Sequence, residues 1–311
     1  MDLYKETRMD LRPVRYFLAV AEKGSISAAA AVLHVAQSAI SRQIRLLEES
    51  LGGPLFARSV AGVELTDSGL MFLERARFIL RELQSATQDV SDFNRGMRGS
   101  NRDVRGTVRM SAAPTVGQAL YGRTALDFRT RFPQVRLELT ESPTEDALHR
   151  LSAGTIDMAI VSDPGNQEHI RFTPLMRQEI AVFCQPGSKL AARSSLHARE
   201  LAKLPIIISL GLRNSLEAQH GAVQPVIQMD GGEGAAQLAR AGVGVVVMPG
   251  SVSRTSAIWQ GLVAVPIRAF SVTRMLALAK GRPVSLAAKA FRGAIEEHVA
   301  QCVSEGLFLA A

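Results

Sequence analysis

Apolar positions recur at helical spacing through the first ninety residues, then give way to short apolar runs alternating with helical stretches. Leu11, Val14, Phe17, Leu18 and Ala21 form one helical stripe, which Gly24 closes. Ser25 to Ser27 can cap a second, alanine-rich helix running to about Leu33, and a third is predicted from Ala36 to Leu51, ended by Gly52-Gly53-Pro54. Leu55–Arg58 and Val63–Leu65 read as two short strands joined by Ser59-Val60-Ala61-Gly62, a hairpin wing. Thr66 and Asp67 occupy the N-cap and first-turn positions of a long helix predicted to about Phe93.

Along that helix Leu73, Ala76, Leu80, Leu83, Thr87 and Val90 step three and four residues in turn, with Phe72, Ile79, Ala86 and Phe93 recurring every seven beside them. The chain before it is too short to cover so long a stripe, so a dimerisation helix is expected over 67–95. Residues 94–106 are polar and rich in Gly and Arg and mark a joint. The expected domains are therefore 9–66, the linker helix 67–95, a hinge at 96–106, and 107–303.

Beyond Gly106, strands are predicted at Thr107–Ser111, Val135–Glu141, Asp157–Val161, Ile180–Cys184, Ile206–Ser209, Val226–Met229, Val243–Met248 and Met275–Ala279. Helices are predicted between most of them, for instance at Val116–Arg131, Thr144–Ala153, Glu233–Ala241 and Leu286–Val303. Alternation of this kind implies βαβ units and a mostly parallel sheet. The overall class is α/β.

Chemistry enters with the third helix. On a helical wheel Ile40, Ile44, Leu47 and Leu51 fall within about 60° of one another, while Ser38, Ser41, Arg42 and Arg45 gather opposite them. A helix that reads a DNA groove needs this division: an apolar face on its own domain, and amide, hydroxyl and guanidinium groups free at its leading end. Gln37 can present an amide to an adenine edge or a phosphate, and Arg42 or Arg45 can reach guanine or the backbone.

Composition adds less. The 311 residues carry a net charge of +7, compatible with a polyanionic partner. Yet residues 1–105 hold 15 basic and 13 acidic side chains against 21 and 16 in the remainder, so the half with the reading helix is not the more basic one. Cys184 and Cys302 form no CxxC and read as reduced core thiols. The first ten residues are polar, with Met9 a second plausible start, and no apolar stretch is long enough for a membrane span. A cytoplasmic protein with no membrane partner is expected.

Residues 25–69, SISAAAAVLHVAQSAISRQIRLLEESLGGPLFARSVAGVELTDSG, closely resemble the signature of the LysR-type transcriptional regulators. The matching elements are Ala29-Ala30-x-x-Leu33, Gln37-x-x-Ile40-Ser41-x-x-Ile44, Leu47-Glu48, Leu51-Gly52, Leu55-Phe56-x-Arg58 and Leu65-Thr66-x-x-Gly69. Ser38 stands where the family usually has Pro, a departure that bears on base contacts rather than on fold. The resemblance implies a winged helix-turn-helix, with Gln37, Ser38, Ser41 and Arg42 facing the major groove of promoter DNA and Arg58 and the wing on the backbone.

It extends less tightly to about residue 300, through Gly106-Thr107-Val108-Arg109-Met110, Phe132-Pro133-x-Val135, Leu151-x-x-Gly154-x-x-Asp157-x-Ala159-Ile160, Gly242-x-Gly244 and Met248-Pro249. These look like the family's effector domain, a two-lobed α/β fold of the type II periplasmic-binding-protein kind. The resemblance implies a small-molecule effector, no other cofactor, a homodimer or homotetramer, and RNA polymerase as a downstream partner. Strand ends that run into small or hydroxyl residues supply effector-site candidates: Ser111, Pro114, Thr115, Ser162 and Ser209, with Thr115 foremost.

Three rival readings fare less well. A solute-binding protein for transport leaves 11–93 unexplained and lacks an export signal. An enzyme is not expected: there is no GxSxG, P-loop, HExxH or post-strand GxGxxG, and the six histidines are scattered without metal-ligand spacing. A DNA-binding protein that senses no ligand is separable only by ligand screening.

Overall fold

Asp10 opens the described chain by accepting the Arg12 amide at 3.0 Å, so that Leu11–Lys23 (α1) starts there and stops at Gly24, whose φ of 63° suits a residue without Cβ. The computed structural model describes residues 10–59, 62–96 and 104–311, the side chains of 58, 59, 89 and 92–96 excepted. Two compact units divide the chain, Met1–Ser91 and Asp92–Ala311.

In the first unit Ile26–Leu33 (α2) is capped by Ser25, and Gln37–Leu51 (α3) ends at Gly52. Phe56–Ser59 (β1) and Gly62–Leu65 (β2) pair antiparallel, while Val60 and Ala61 of the expected turn lie outside the described residues. The wing is tied back to α1, since the Val63 amide donates to the Gly24 carbonyl at 3.1 Å.

The signature residues converge on one joint. One Glu48 carboxylate oxygen on α3 accepts the amides of Leu55 and Phe56 at 2.8 and 3.2 Å, fixing the start of the wing. The Leu55 carbonyl accepts the Thr66 amide at 3.0 Å. Thr66 Oγ1 donates to the Pro54 carbonyl at 2.7 Å and accepts the Gly69 amide at 3.0 Å, capping Asp67–Gly96 (α4). Gly69 is here because a Cβ would stand 2.1 Å from the Leu55 carbonyl oxygen. Phe17 fills the space behind this joint, its ring 5.1 Å from Phe56 and 5.0 Å from Phe72.

The apolar stripe of α4 serves two environments. Ala76 is fully buried, with Phe72, Leu73 and Leu80 packed beside it on Val14, Phe17, Leu47 and Leu55. Ile79, Leu83 and Val90, by contrast, are exposed, Val90 at 62%. The first turns of α4 are thus part of the first unit's own core, while its later turns carry the uncovered stripe.

The second unit holds a mixed sheet. Gly106–Ala112 (β3), Val135–Glu141 (β4) and Met158–Ser162 (β5) are parallel, as are Leu196–His197 (β7) with Val263–Ala279 (β11), and Ile206–Ile208 (β8), Ile227–Gln228 (β9) and Val245–Pro249 (β10) among themselves. Between the two parallel groups run Ile170–Cys184 (β6) and β11, antiparallel to each other and to β10 and β5 respectively. The expected mostly parallel sheet is therefore parallel on its two flanks and antiparallel at its centre. Ile180–Cys184 and Met275–Ala279 proved to be the last five residues of strands 15 and 17 residues long.

Each half of the sheet has helices on both faces. Pro114–Arg131 (α5) and Leu286–Ser304 (α10) cover one face of the first lobe around Met110, Phe128 and Phe291. Thr144–Ser152 (α6) covers the other around Leu148, Ile156 and Ala159. In the second lobe Leu210–His220 (α7) packs with the 3₁₀ segment Ala198–Lys203 over Ile180, Ile206 and Val265. Gly232–Arg240 (α8) and Val252–Thr255 (α9) close the opposite face around Trp259. Residues beyond 303 belong to the same unit: Leu309 exchanges two backbone hydrogen bonds with Arg177 on β6, at 3.0 and 2.9 Å.

Two measurements follow. Gly69→Ala forces its methyl into a backbone oxygen and should destabilise the first unit by about 1–3 kcal/mol, the usual scale of overpacking. The loss of helical circular dichroism should occur at lower temperature, and an unchanged melting curve would show that the joint can relax. His298 on α10, whose Nδ1 lies 2.7 Å from Thr124 Oγ1, is held below the ordinary histidine value by burial and by Arg123, against the opposite pull of Asp127 and Glu305. The folded chain therefore prefers neutral imidazole. Its stabilisation is full above about pH 6.5 and is lost as pH falls toward the lowered folded value, because the unfolded chain takes up the proton first. The unfolding midpoint read from Trp259 fluorescence should fall on acidification through this window, and fall less in His298→Gln.

Candidate functional site

Two separate sites are built, one in each unit. On α3 the buried residues Ile40, Ile44 and Leu47 seat the helix on α1 and α2, leaving Gln37, Ser38, Arg42 and Arg45 exposed and Ser41 half-buried at the margin. The N-cap position is Ala36, which has no side-chain oxygen; its carbonyl accepts the Ala39 and Ile40 amides, and among the described residues those of Gln37 and Ser38 are left for another acceptor. An uncapped N-terminus beside two exposed guanidinium groups has the electrostatics of a phosphate-binding surface. Arg58 lies on β1 opposite Val63; its side chain is outside the described residues.

The second site lies where β6 and β11 cross from one lobe to the other. Residues 170–176 of β6 and 275–279 of β11 pack in the first lobe, and 180–184 and 263–272 in the second. Register breaks between Pro266 and Ser271, where Ala269 adopts a φ of 55°, and again between Arg274 and Met275. An irregularity of this kind re-aims a side chain, and the residue at the second one is Arg274, only 6% exposed.

Arg274 gathers the crossing together. Its Nε donates to Gln178 Oε1 at 2.7 Å, one terminal nitrogen donates to Ser162 Oγ, and the other to Thr115 Oγ1 at 3.3 Å. Gln178, itself buried on β6, passes its amide on to Ser251 Oγ after β10 at 3.0 Å. Burial pulls the guanidinium down to about 10, offset by the charge of Asp163, so it remains a cation at neutral pH. Asp163 follows β5 with a φ of 42°, a left-handed conformation that a non-glycine residue rarely adopts, and it accepts the Ser215 hydroxyl from α7. Thr115 and Ser162 of the first lobe are thus linked to Gln178, Ser215 and Ser251 at or beyond the crossing.

Of the residues singled out from sequence, Thr115 and Ser162 meet at Arg274. Ser111 does not: it is fully buried and hydrogen-bonded to Ser142 at 2.7 Å. Pro114 opens α5 and is exposed, and Ser209 caps α7 by accepting the Leu212 amide at 3.4 Å. Arg274, Gln178, Ser215 and Ser251 went unnoticed. A single cation inside the apolar run Ser271–Ala279 was the only signal, and it reads equally well as a solvent-facing strand position.

On the other flank of the crossing a cavity of about 180 Å³ is lined by Glu179, Ser251, Arg254 and the tail from Gly306 to Leu309. Cys184 and Cys302 are free and buried in the cores of different lobes, and burial pushes the Cys302 thiol up. Among the described residues no cluster of His, Cys, Asp and Glu is placed to hold a metal, and no helix is long and apolar enough to cross a membrane.

The helix-turn-helix family of bacterial regulatory proteins of the lysR type matches residues 11–70, and the LysR substrate binding domain matches residues 101–300. The chain is 31% identical over 261 residues to the HTH-type transcriptional regulator ClcR of Pseudomonas putida, covering 80% of this chain and 85% of that one. Among solved structures, a full-length OxyR variant from Pseudomonas aeruginosa superposes with a TM-score of 0.71 at 22% identity, over 93% of this chain and 98% of its own. Full-length CbnR in complex with its target DNA superposes with a TM-score of 0.66 at 25% identity, over 94% and 99%. Two family domains in sequence, one carrying the exposed polar edge of α3 and the other the buried crossing around Arg274, leave one assignment: the chain belongs to the LysR family of DNA-binding transcriptional regulators, with a C-terminal effector-binding domain.

Proposed function

We propose that α3 enters the major groove of promoter DNA with Gln37, Ser38, Ser41 and Arg42 toward the base edges, Arg45 and Arg58 on the phosphates, and the uncapped first turn of α3 on a phosphate oxygen. The observation that carries this is the division of α3, with apolar residues buried at Ile40, Ile44 and Leu47 and polar ones exposed at its leading end. Phosphate contacts position the protein, and the few side chains on base edges supply specificity.

Two chains pair through the part of α4 that its own unit leaves uncovered, Ile79, Leu83 and Val90, and two such dimers make a tetramer. A small-molecule effector binds at the crossing of β6 and β11, with Thr115 and Ser162 as its first-lobe contacts. Ser111, Pro114 and Ser209 shape the surrounding strand ends and helix starts rather than touching it. Binding favours one lobe arrangement over another, changes how the assembly bends its operator, and so changes how RNA polymerase is engaged.

Operator bend angle and footprint should differ with and without a ligand found by screening the full chain, and identical patterns would remove the mechanism. Arg42→Ala should weaken operator binding by about 1–3 kcal/mol if Arg42 grips a base in two places. A footprint of unaltered position and affinity would exclude that contact. Leu83→Glu with Val90→Glu places charge on the uncovered stripe. Sedimentation should then show smaller assemblies that bind the operator at least about tenfold more weakly, whereas an unshifted assembly size would send the pairing surface elsewhere.

A further inference from the structure

The environment of Arg274 says what kind of molecule the crossing recognises. A cation taken out of water is ordinarily matched by a carboxylate in contact, since a buried charge left uncompensated is strongly destabilising. Among the described residues Arg274 makes no ion pair, and its three hydrogen bonds all go to uncharged oxygens: Gln178 Oε1, Ser162 Oγ and Thr115 Oγ1. The one acid that influences it, Asp163, spends its carboxylate on the Ser215 hydroxyl.

Five N–H groups radiate from a guanidinium. Three of those on Arg274 are used, leaving one on each terminal nitrogen without an acceptor among the described residues. Two such donors on one planar fork are what a carboxylate takes in a paired grip.

The surroundings add donors of the same sense. Ser162 and Thr115 receive Arg274 through their oxygens, so each keeps an O–H to give. Thr115 is also the second residue of α5, a helix of 18 residues whose cap position, Ala113, has no side-chain oxygen to offer, its carbonyl taking the Val116 and Gly117 amides, and whose first residue, Pro114, has no N–H. Among the described residues the Thr115 amide and the positive end of the α5 dipole are therefore unanswered. Glu141 is the other acid near this end of α5, packed against Gly117, and burial raises its pKa, which weakens its opposition to an incoming anion. A neutral sugar or amide would leave the buried cation as it stands.

We propose that the effector is an anion, a small organic acid whose carboxylate is gripped by Arg274 and the hydroxyls of Thr115 and Ser162, and that Arg274 sets this selectivity. The proposal rests on the reading of the crossing as the effector site and gives that site a chemical class.

Acetate is the head group alone and acetamide its uncharged counterpart, so the two separate charge from shape. Each is titrated into the full chain at constant ionic strength, and unfolding is followed by the fluorescence of Trp259, the chain's single tryptophan, buried in the same unit. Acetate should raise the midpoint and acetamide should not. Arg274→Gln should weaken the acetate response by about tenfold or more, and Arg274→Lys, which keeps the charge but loses the fork, by a smaller factor. Arg254→Gln removes a guanidinium from the far flank, where it donates to the carbonyls of Gly306 and Glu305, and should leave the response intact. If Arg274→Gln does not fold, Arg274→Lys and the acetate–acetamide comparison still decide.

The absence of an acetate response, an equal response to acetamide, or unaltered responses in both Arg274 variants overturns the proposal. A neutral ligand that binds the wild-type chain and is lost in Thr115→Val would overturn the anion while leaving the effector site where it is. An acetate response untouched by both Thr115→Val and Arg274→Gln would remove the crossing itself.

Discussion

Everything in the second unit hangs from the antiparallel ladder between β6 and β11. Among the described residues no other pair of strands contributes to both lobes, and the ladder is regular except at two breaks of register, one at Ala269 and one beside Arg274. The first break lets β11 turn within the second lobe. The second delivers a charged side chain into a space where apolar burial would have been cheaper. Regular pairing holds the lobes together, and the interruptions leave the middle of the ladder free to carry polar chemistry. Leu309 and Arg254 press on the same place from the other side, so the C-terminal tail is part of how the crossing is held.

The first unit was legible because its signature is local. Helix stripes, the Gly that ends α1 and α3 and the small residues of α2 are all readable within a window of a few turns, and they give the three helices and the wing almost to the residue. The reason for Glu48 and Gly69 was not readable. Each answers to a backbone atom of Leu55, 7 and 14 positions away, and such contacts exist only once the wing has folded back.

The centre of the second unit was the least legible part. The missed part of β6 contains Pro174 with Arg171 and Arg177 around it, and the missed part of β11 contains Pro266 and Arg268, residues that locally argue against a strand. Tertiary pairing over the whole length of the ladder overrides them. The same blindness hid the core of the crossing: Thr115 and Ser162 could be guessed from strand ends, but Arg274 becomes conspicuous only when the sheet buries it. The α4 stripe shows a third kind of limit. Its heptad spacing runs unbroken, while Ala76 faces the domain's own core and Val90 faces solvent, so spacing alone cannot say where one environment ends.

The carboxylate of Glu48 has an implication for anyone wishing to redirect this regulator. It rivets the base of the hairpin to the rear half of α3, so helix and wing are presented to a duplex as a single stiff tool, aimed together. The forward half, Gln37 to Arg45, takes no part in that fastening. On the docking proposed for α3, new operator preferences are therefore sought by rewriting the outward positions of that short stretch, as one would change a key's teeth while keeping its shank.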